Sequence, residues 1–303
     1  MSALGRAWDG DVFYSFRRSP VAMISALVLL LLVGGAVFCR WVAPSDPYDL
    51  AGLNLMDSFQ PPAFVAEGTR AHLLGTDDQG RDLLSAILYG MQKSFIVGIA
   101  SVLFAVVVGV TIGLIAGYAG GVVDSVLMRL ADIQLSFPAI LIALLIDGVV
   151  SVSLARDLRE SVQIDVLILA IGFSFWPQFA RAVRGSAMVE RGREYVMAAR
   201  VIGLSPARIM ITHILPNVLG PVLVIATLSL GLAIISEATL SYLGVGLPPT
   251  QPSVGTLIRV GNDFLYSGEW WITVFPGIAL LLIVLSINLL GDWLRDALNP
   301  RLR

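Results

Sequence analysis

The chain has 303 residues, of which 56% are hydrophobic and 14% charged, and its mean hydropathy is +0.83. Soluble domains carry about 25% charged residues, so this composition argues against a soluble globular protein and excludes a disordered one. The 20 basic and 22 acidic residues give a net charge of -2, which excludes a nucleic-acid binder of the basic-patch kind; one cysteine (Cys39) and two histidines (His72, His213) leave no disulfide framework and no zinc cluster.

In chain order, residues 1–20 place Trp8, Phe13, Tyr14 and Phe16 beside Arg17 and Arg18. This pattern reads either as an amphipathic segment lying on the inner membrane surface or as an unstructured tail. Residues 21–39 carry no charge, close to the roughly 20 apolar residues that span a bilayer, and Arg40-Trp41 closes the run like an interfacial anchor. A signal peptide has a shorter apolar stretch, so an uncleaved first span is expected over 21–42. Residues 43–93 form a loop rich in Pro, Asp and Gly, ending in a helix that enters the second span, 94–119. A third span is expected over 125–149, interrupted near its start by Arg129 and Asp132, and a fourth over 164–184. The longest internal loop follows at 185–217, then a fifth span at 218–240. Residues 241–270 are Gly/Pro-rich yet carry Leu243, Val245, Leu247 and Phe264, so this loop is expected to tuck back against the protein. A sixth span covers 271–294.

The expected fold is therefore an all-α membrane protein with six transmembrane helices. With the N-terminus placed in the cytoplasm, 13 of the 20 basic residues fall inside, and 14 of the 22 acidic ones outside. The positive-inside rule then puts both termini in the cytoplasm.

Several chemistries lack their residues. A phosphate-gripping loop needs a lysine after a glycine, whereas Lys93, the only lysine, follows Gln92 and lies on the outer side. Neither histidine lies deep in a span, so Ser174 has no base for an intramembrane serine protease. Metalloprotease chemistry fails on the same pair, which fall on opposite sides of the membrane. A catalytic role for this chain alone is not supported.

The internal loop is more specific. Residues 195–202 contain helix formers with apolar residues on more than one face, and Ala198-Ala199 leaves a flat, small surface. Gly203 suits a left-handed turn, and Ser205-Pro206 begins a second helix as N-cap and first helical residue. A short helix of this kind is shaped to fit a partner's groove. The loop resembles the signature loop of ABC-transporter permeases of the bacterial import type, whose pattern is Glu-Ala-Ala, three residues, Gly, nine residues, then Ile-x-Leu-Pro. Ala198, Ala199, Gly203, Leu215 and Pro216 fall in register, whereas Met197 stands in place of the Glu and His213 in place of the Ile. Further segments are similar to the dipeptide/oligopeptide/nickel subfamily: 16–20, Gly75-Thr76-Asp77 with Gly80-Arg81-Asp82, 235–253, and 291–300. The short first loop and the C-terminal ending resemble its second, C-type permease subunit.

The resemblance implies a type I importer permease fold in the bacterial inner membrane. It implies a second homologous permease that completes the pathway, two ABC ATPase subunits below, and an external binding protein that delivers substrate. No cofactor is implied in this chain; ATP and magnesium belong to the ATPases. The docking residues implied are Tyr195, Met197, Ala198, Ala199, Arg200 and Gly203, with Ala198 and Ala199 setting close approach and Arg200 facing either a partner's acid or solvent. Asp132 and Glu237 lie at membrane depth, where ionisable groups mark function by default. Asp132 is read either as a local pair with Arg129, three residues earlier, or as a residue of the substrate pathway or gate. For Glu237, a structural role at the external gate and contact with a substrate amino group both stay open. Asp77, Arg81 and Gln251 mark the expected landing surface for the binding protein. The expected substrate is a di- or oligopeptide; alternatives are a nickel complex or other small solute carried by the same machine, or an autonomous secondary transporter or channel.

Overall fold

The computed structural model describes residues 13–49, 53–153, 156–247 and 251–297. Trp8, Pro248-Pro249-Thr250 and 298–300, singled out above, lie outside these residues. A short helix α1 (Phe13–Arg18) leads into α2 (Pro20–Val37), whose first turn is set by Pro20 and by the Ser19 hydroxyl accepting from Ala22 N at 3.3 Å. Helix α2 is apolar on every side and buries little beyond Ala22, Ser25 and Ala36, as a lipid-facing helix does. After α3 (Cys39–Val42) the chain crosses an irregular loop to α4 (Leu83–Ala119). At 37 residues, or ~55 Å by the helical rise, α4 is longer than a bilayer is thick. Asp82 caps it, accepting from Ser85 N at 2.9 Å and Ser85 Oγ at 2.7 Å.

The third span differs from the continuous stretch expected over 125–149. It comprises α5 (Gly121–Leu135) and α6 (Ala139–Ser153), bent by 87°. Pro138 has no N–H to continue α5 and disfavours helical geometry at Phe137, so the break falls at Ser136-Phe137-Pro138. Helix α7 (Arg156–Arg191) follows, then α8 (Glu194–Val201) and α9 (Pro206–Ile209). A π turn (Met210–Ile214) joins α9 to α10 (Leu215–Tyr242), and the rod is continuous from Pro206 rather than starting after Asn217. The π turn accounts for that continuity. Pro216 cannot bond back to Thr212 and its ring would crowd that carbonyl; widening the turn, with Leu215 N bonding to Met210 O, relieves the clash. The 241–270 loop folds back as α11 (Val254–Phe264), followed by α12 (Trp271–Ala297).

Among the described residues, five helices are long and apolar enough to cross a membrane: Pro20–Val37, Leu83–Ala119, Val162–Arg191, Pro206–Tyr242 and Trp271–Ala297. The bent pair makes a sixth if counted as one span.

Helix α4 is the central post, and its closest neighbour is α7. Gly109, Gly113 and Gly117 recur every four residues and so share one face. A Cβ on Gly113 would lie 2.5 Å from Ala180 O; one on Gly117 would lie 2.8 Å from Ala187 Cβ and Arg184 O. Small residues here let two backbones meet, which is how helices associate in lipid, where burial of apolar surface offers no drive. Two apolar clusters result. One joins the later half of α4 to α7 and includes Val196, Ala199, Ile209 and Ile214 from the 185–217 loop. The other joins α2, the start of α4, α11 and α12.

Candidate functional site

Helix α8 ends in a Schellman turn. Leu204 N bonds to Ala199 O at 3.1 Å and Gly203 N to Arg200 O at 3.0 Å, with Gly203 at φ +79°. Its two faces are now assigned. Val196 and Ala199 are buried in the chain's own core, while Met197, Ala198, Val201 and Ile202 face out. Ala199 therefore seats the helix rather than setting a partner's approach. Val201 and Ile202, 86% and 74% exposed, were not picked out by the sequence reading. Their signal was present: two adjacent branched apolar residues ending a short polar-flanked helix just before a glycine.

Two of the expected docking residues are engaged within the chain. The Tyr195 hydroxyl donates to a Glu190 carboxylate oxygen at the end of α7 and accepts from Asn217 Nδ2 at 3.0 Å. Its ring stacks on His213, with centroids 6.4 Å apart. Burial, then the Glu190 carboxylate, push the phenol up to about 12, so it keeps its proton at neutral pH. Asn217 Nδ2 also donates to His213 O at 2.7 Å, satisfying a carbonyl in the widened turn. The Arg200 guanidinium, itself exposed, lies 4.9 Å over the Tyr118 ring at the end of α4. Arg191 Nη1 donates to Tyr118 O at 2.9 Å, closing the last turn of the same helix. The short helix is thus tied to α4, α7 and α10 and presents a small apolar face.

Asp132 does not pair with Arg129. It accepts from Arg181 Nη2 of α7, and both side chains are more than half exposed. The reason is helical phase: Asp124, Met128 and Ala131 form the face that α5 turns to α7, and Asp132 lies at its edge while Arg129 is directed away. One turn further along, Arg184 grips Asp124 through two bonds, the Nη2–Oδ2 contact being 2.6 Å, with Asp124 8% exposed. This two-pronged pair is the stronger of the two links.

Glu237 is fully buried in α10. Its Oε2 accepts from Ser94 Oγ of α4 and its Oε1 from Ser241 Oγ, each at 2.7 Å. The carboxylate therefore pins two helices together. Asp77 and Arg81 are not landing-surface residues: they are 1% and 3% exposed and pair at 2.6 Å. Asp77 Oδ1 also accepts from the backbone N of Gln79 and Arg81, each at 2.9 Å, so the pair folds the loop from within. Trp271 Nε1 clamps that loop by donating to Thr76 O at 3.1 Å. Of the three expected landing residues, only Gln251 is exposed; it accepts from Lys93 Nζ at 3.1 Å.

Residues 109–303 match the family described as "Binding-protein-dependent transport system inner membrane component". The chain belongs to this permease family. Residues 7–62 also match the "N-terminal TM domain of oligopeptide transport permease C". The chain is 36% identical over 293 residues to the "Di/tripeptide transport system permease protein DppC" of Pseudomonas aeruginosa, covering 97% of this chain and 92% of that one. It is 39% identical over 293 residues to the "Dipeptide transport system permease protein DppC" of Escherichia coli K12, covering 97% and 93%. In fold it is similar to a chain of the MetNI methionine ABC transporter, with TM-score 0.53 and 18% identity over 69% of this chain and 94% of that one. The protein is thus a multi-pass inner-membrane permease component of an ABC transporter. ATP hydrolysis belongs to partner ATPases, no cofactor is expected in this chain, and the family works with an external binding protein.

Proposed function

We propose that this chain is one of two paired, non-identical permeases of an ATP-driven importer, that it carries di- and oligopeptides, and that both its termini lie in the cytoplasm. The peptide assignment rests on relatives named for di- and tripeptide transport across almost the whole chain. The orientation rests on the excess of arginine at the end carrying the 185–217 loop.

The observation that carries the mechanism is the outward face of α8, Met197-Ala198 with Val201-Ile202, on a helix fastened to three others. An ATPase groove that receives this face moves α8, and the fastenings pass that motion on. Helices α4 and α7 are locked by the glycine face, and Arg184–Asp124 ties α5 to α7, so the three respond as one body. Helix α10 joins α8 through Asn217 and the widened turn and is pinned to α4 at Glu237, so its α8 end pivots about that bond against the body and alternates access to the pathway. Such coupling requires contacts that differ between the two states.

Reconstitution tests the reading. With a second permease, two ATPases and a cognate binding protein, proteoliposomes take up labelled dipeptide only with ATP. Uptake by this chain alone would sink the proposal. A cysteine at Met197 labelled by impermeant maleimide from outside intact cells would reverse the orientation.

A further inference from the structure

Two cavities meet at one side of the molecule. The first is an apolar groove of about 460 Å³ between α2 and α4, lined by Val33, Val37, Phe95, Ile96, Ile99 and Leu103. The second is a polar mouth of about 320 Å³ lined by Arg40, Lys93, Asp46, Gln251 and two tyrosines, Tyr48 and Tyr89. Gln92 lines both, so the groove opens into the mouth.

The two cations of the mouth sit at the same depth. Arg40 lies three residues beyond the end of α2, an 18-residue helix of ~27 Å that matches the hydrocarbon thickness. Lys93 is the residue before the uncharged run of α4. Both therefore stand at the boundary between hydrocarbon and headgroups. Trp41, 81% exposed, marks the same level in the manner of an interfacial aromatic. The mouth holds two positive charges against the single Asp46, whose Oδ1 already accepts from Tyr48 N at 2.9 Å. Lys93 uses one of its three N–H groups on Gln251. Among the described residues neither Arg40 nor Lys93 has an ion-pair partner.

We infer that this is a binding site for an anionic phospholipid, with one acyl chain along the groove and the phosphate between Arg40 and Lys93. A helix of a partner subunit would cover the groove but would leave two cations at its end unanswered; the bilayer supplies a phosphate at that depth. On the orientation proposed above, the site faces the outer leaflet.

The test is native mass spectrometry of the full chain, delipidated in mild detergent and titrated with phosphatidylglycerol or phosphatidylcholine. Phosphatidylglycerol is expected to bind at least tenfold tighter. Each charge removed weakens it about fivefold, so Arg40→Gln with Lys93→Gln lowers its affinity about twenty-five-fold and lowers that of phosphatidylcholine, whose choline offsets its phosphate, by much less. Ile96→Trp, which fills the groove and keeps both charges, lowers both affinities. Equal phosphatidylglycerol affinity in wild type and the double variant overturns the inference. So does a photo-crosslinker at Ile96 that, in the assembled transporter, labels a protein partner instead of lipid.

Discussion

Gly113→Ala tests the seam on which the proposed mechanism depends. The added Cβ would stand 2.5 Å from Ala180 O and 2.8 Å from Val183 Cβ, both on α7. Ordinary contact begins near 3.4 Å, so the helices must part by about 0.9 Å. A gap of that size forfeits about a quarter to a half of each dispersion contact along the seam, and overpacking of this kind costs about 1–3 kcal/mol. Working the other way, alanine in a helix is favoured over glycine by about 1 kcal/mol. Gly185→Ala separates the two effects. Gly185 lies on α7 with nothing within 4 Å of its added Cβ, so it receives the propensity gain alone. The difference between the variants is the packing cost. Melting temperatures of detergent-solubilised protein, followed by fluorescence-detected gel filtration, should place Gly113→Ala well below wild type and Gly185→Ala at or above it. If the two variants melted together, the close seam would not exist in the membrane protein.

Arg184→Gln leaves Asp124 buried without a cation and should destabilise by about 3 kcal/mol in the same assay, whereas Arg181→Gln, at an exposed pair, should cost less than about 1 kcal/mol. Glu237→Gln can still bond both serine hydroxyls and should keep transport and substrate preference; Glu237→Ala strands them and should cost about 2 kcal/mol. Loss of peptide selectivity in Glu237→Gln would instead make it a substrate ligand. Gly203→Asp strains a left-handed position by about 1 kcal/mol and puts charge beside the outward face, so the protein should insert normally but transport poorly; normal transport with normal ATP use would defeat the docking assignment. Tyr195→Phe removes the hydroxyl between Glu190 and Asn217, so peptide moved per ATP should fall with little change in melting temperature.

Much of the fold was legible because bilayer thickness forces long uncharged runs, and runs such as 21–39 and 94–123 have few other uses. The bend in the third span was written in Pro138, but a window that averages hydropathy over 125–149 passes across it. The four-residue spacing of Gly109, Gly113 and Gly117 was also legible. What the spacing cannot say is which helix comes close, because the partner face, around Ala180, Val183 and Ala187, is some 70 residues away.

The site was legible in position and not in facing. An eight-residue helix with apolar residues all round gives periodicity no way to separate the buried side from the presented one, so Ala198 and Ala199 read alike although only Ala199 is buried. Polar residues misled in the same way. Asp77 and Arg81, in a loop rich in glycine and acid, look exposed by composition. They are buried because Trp271, 195 residues beyond Thr76, closes over that loop. Asp132 shows a third form of the error: the nearest cation in sequence, Arg129, shares its helix, but the cation across the helix gap has the geometry. In each case the facing was set by an element distant in sequence: the core under Ala199, Trp271 over the Asp77–Arg81 loop, and Arg181 opposite Asp132. Within a membrane the choice of polar partner carries particular weight. An unpaired charge there is costly, so pairs such as Arg184–Asp124 fix which helices must move together, and on the proposed reading the outward apolar residues Met197, Ala198, Val201 and Ile202 answer a partner.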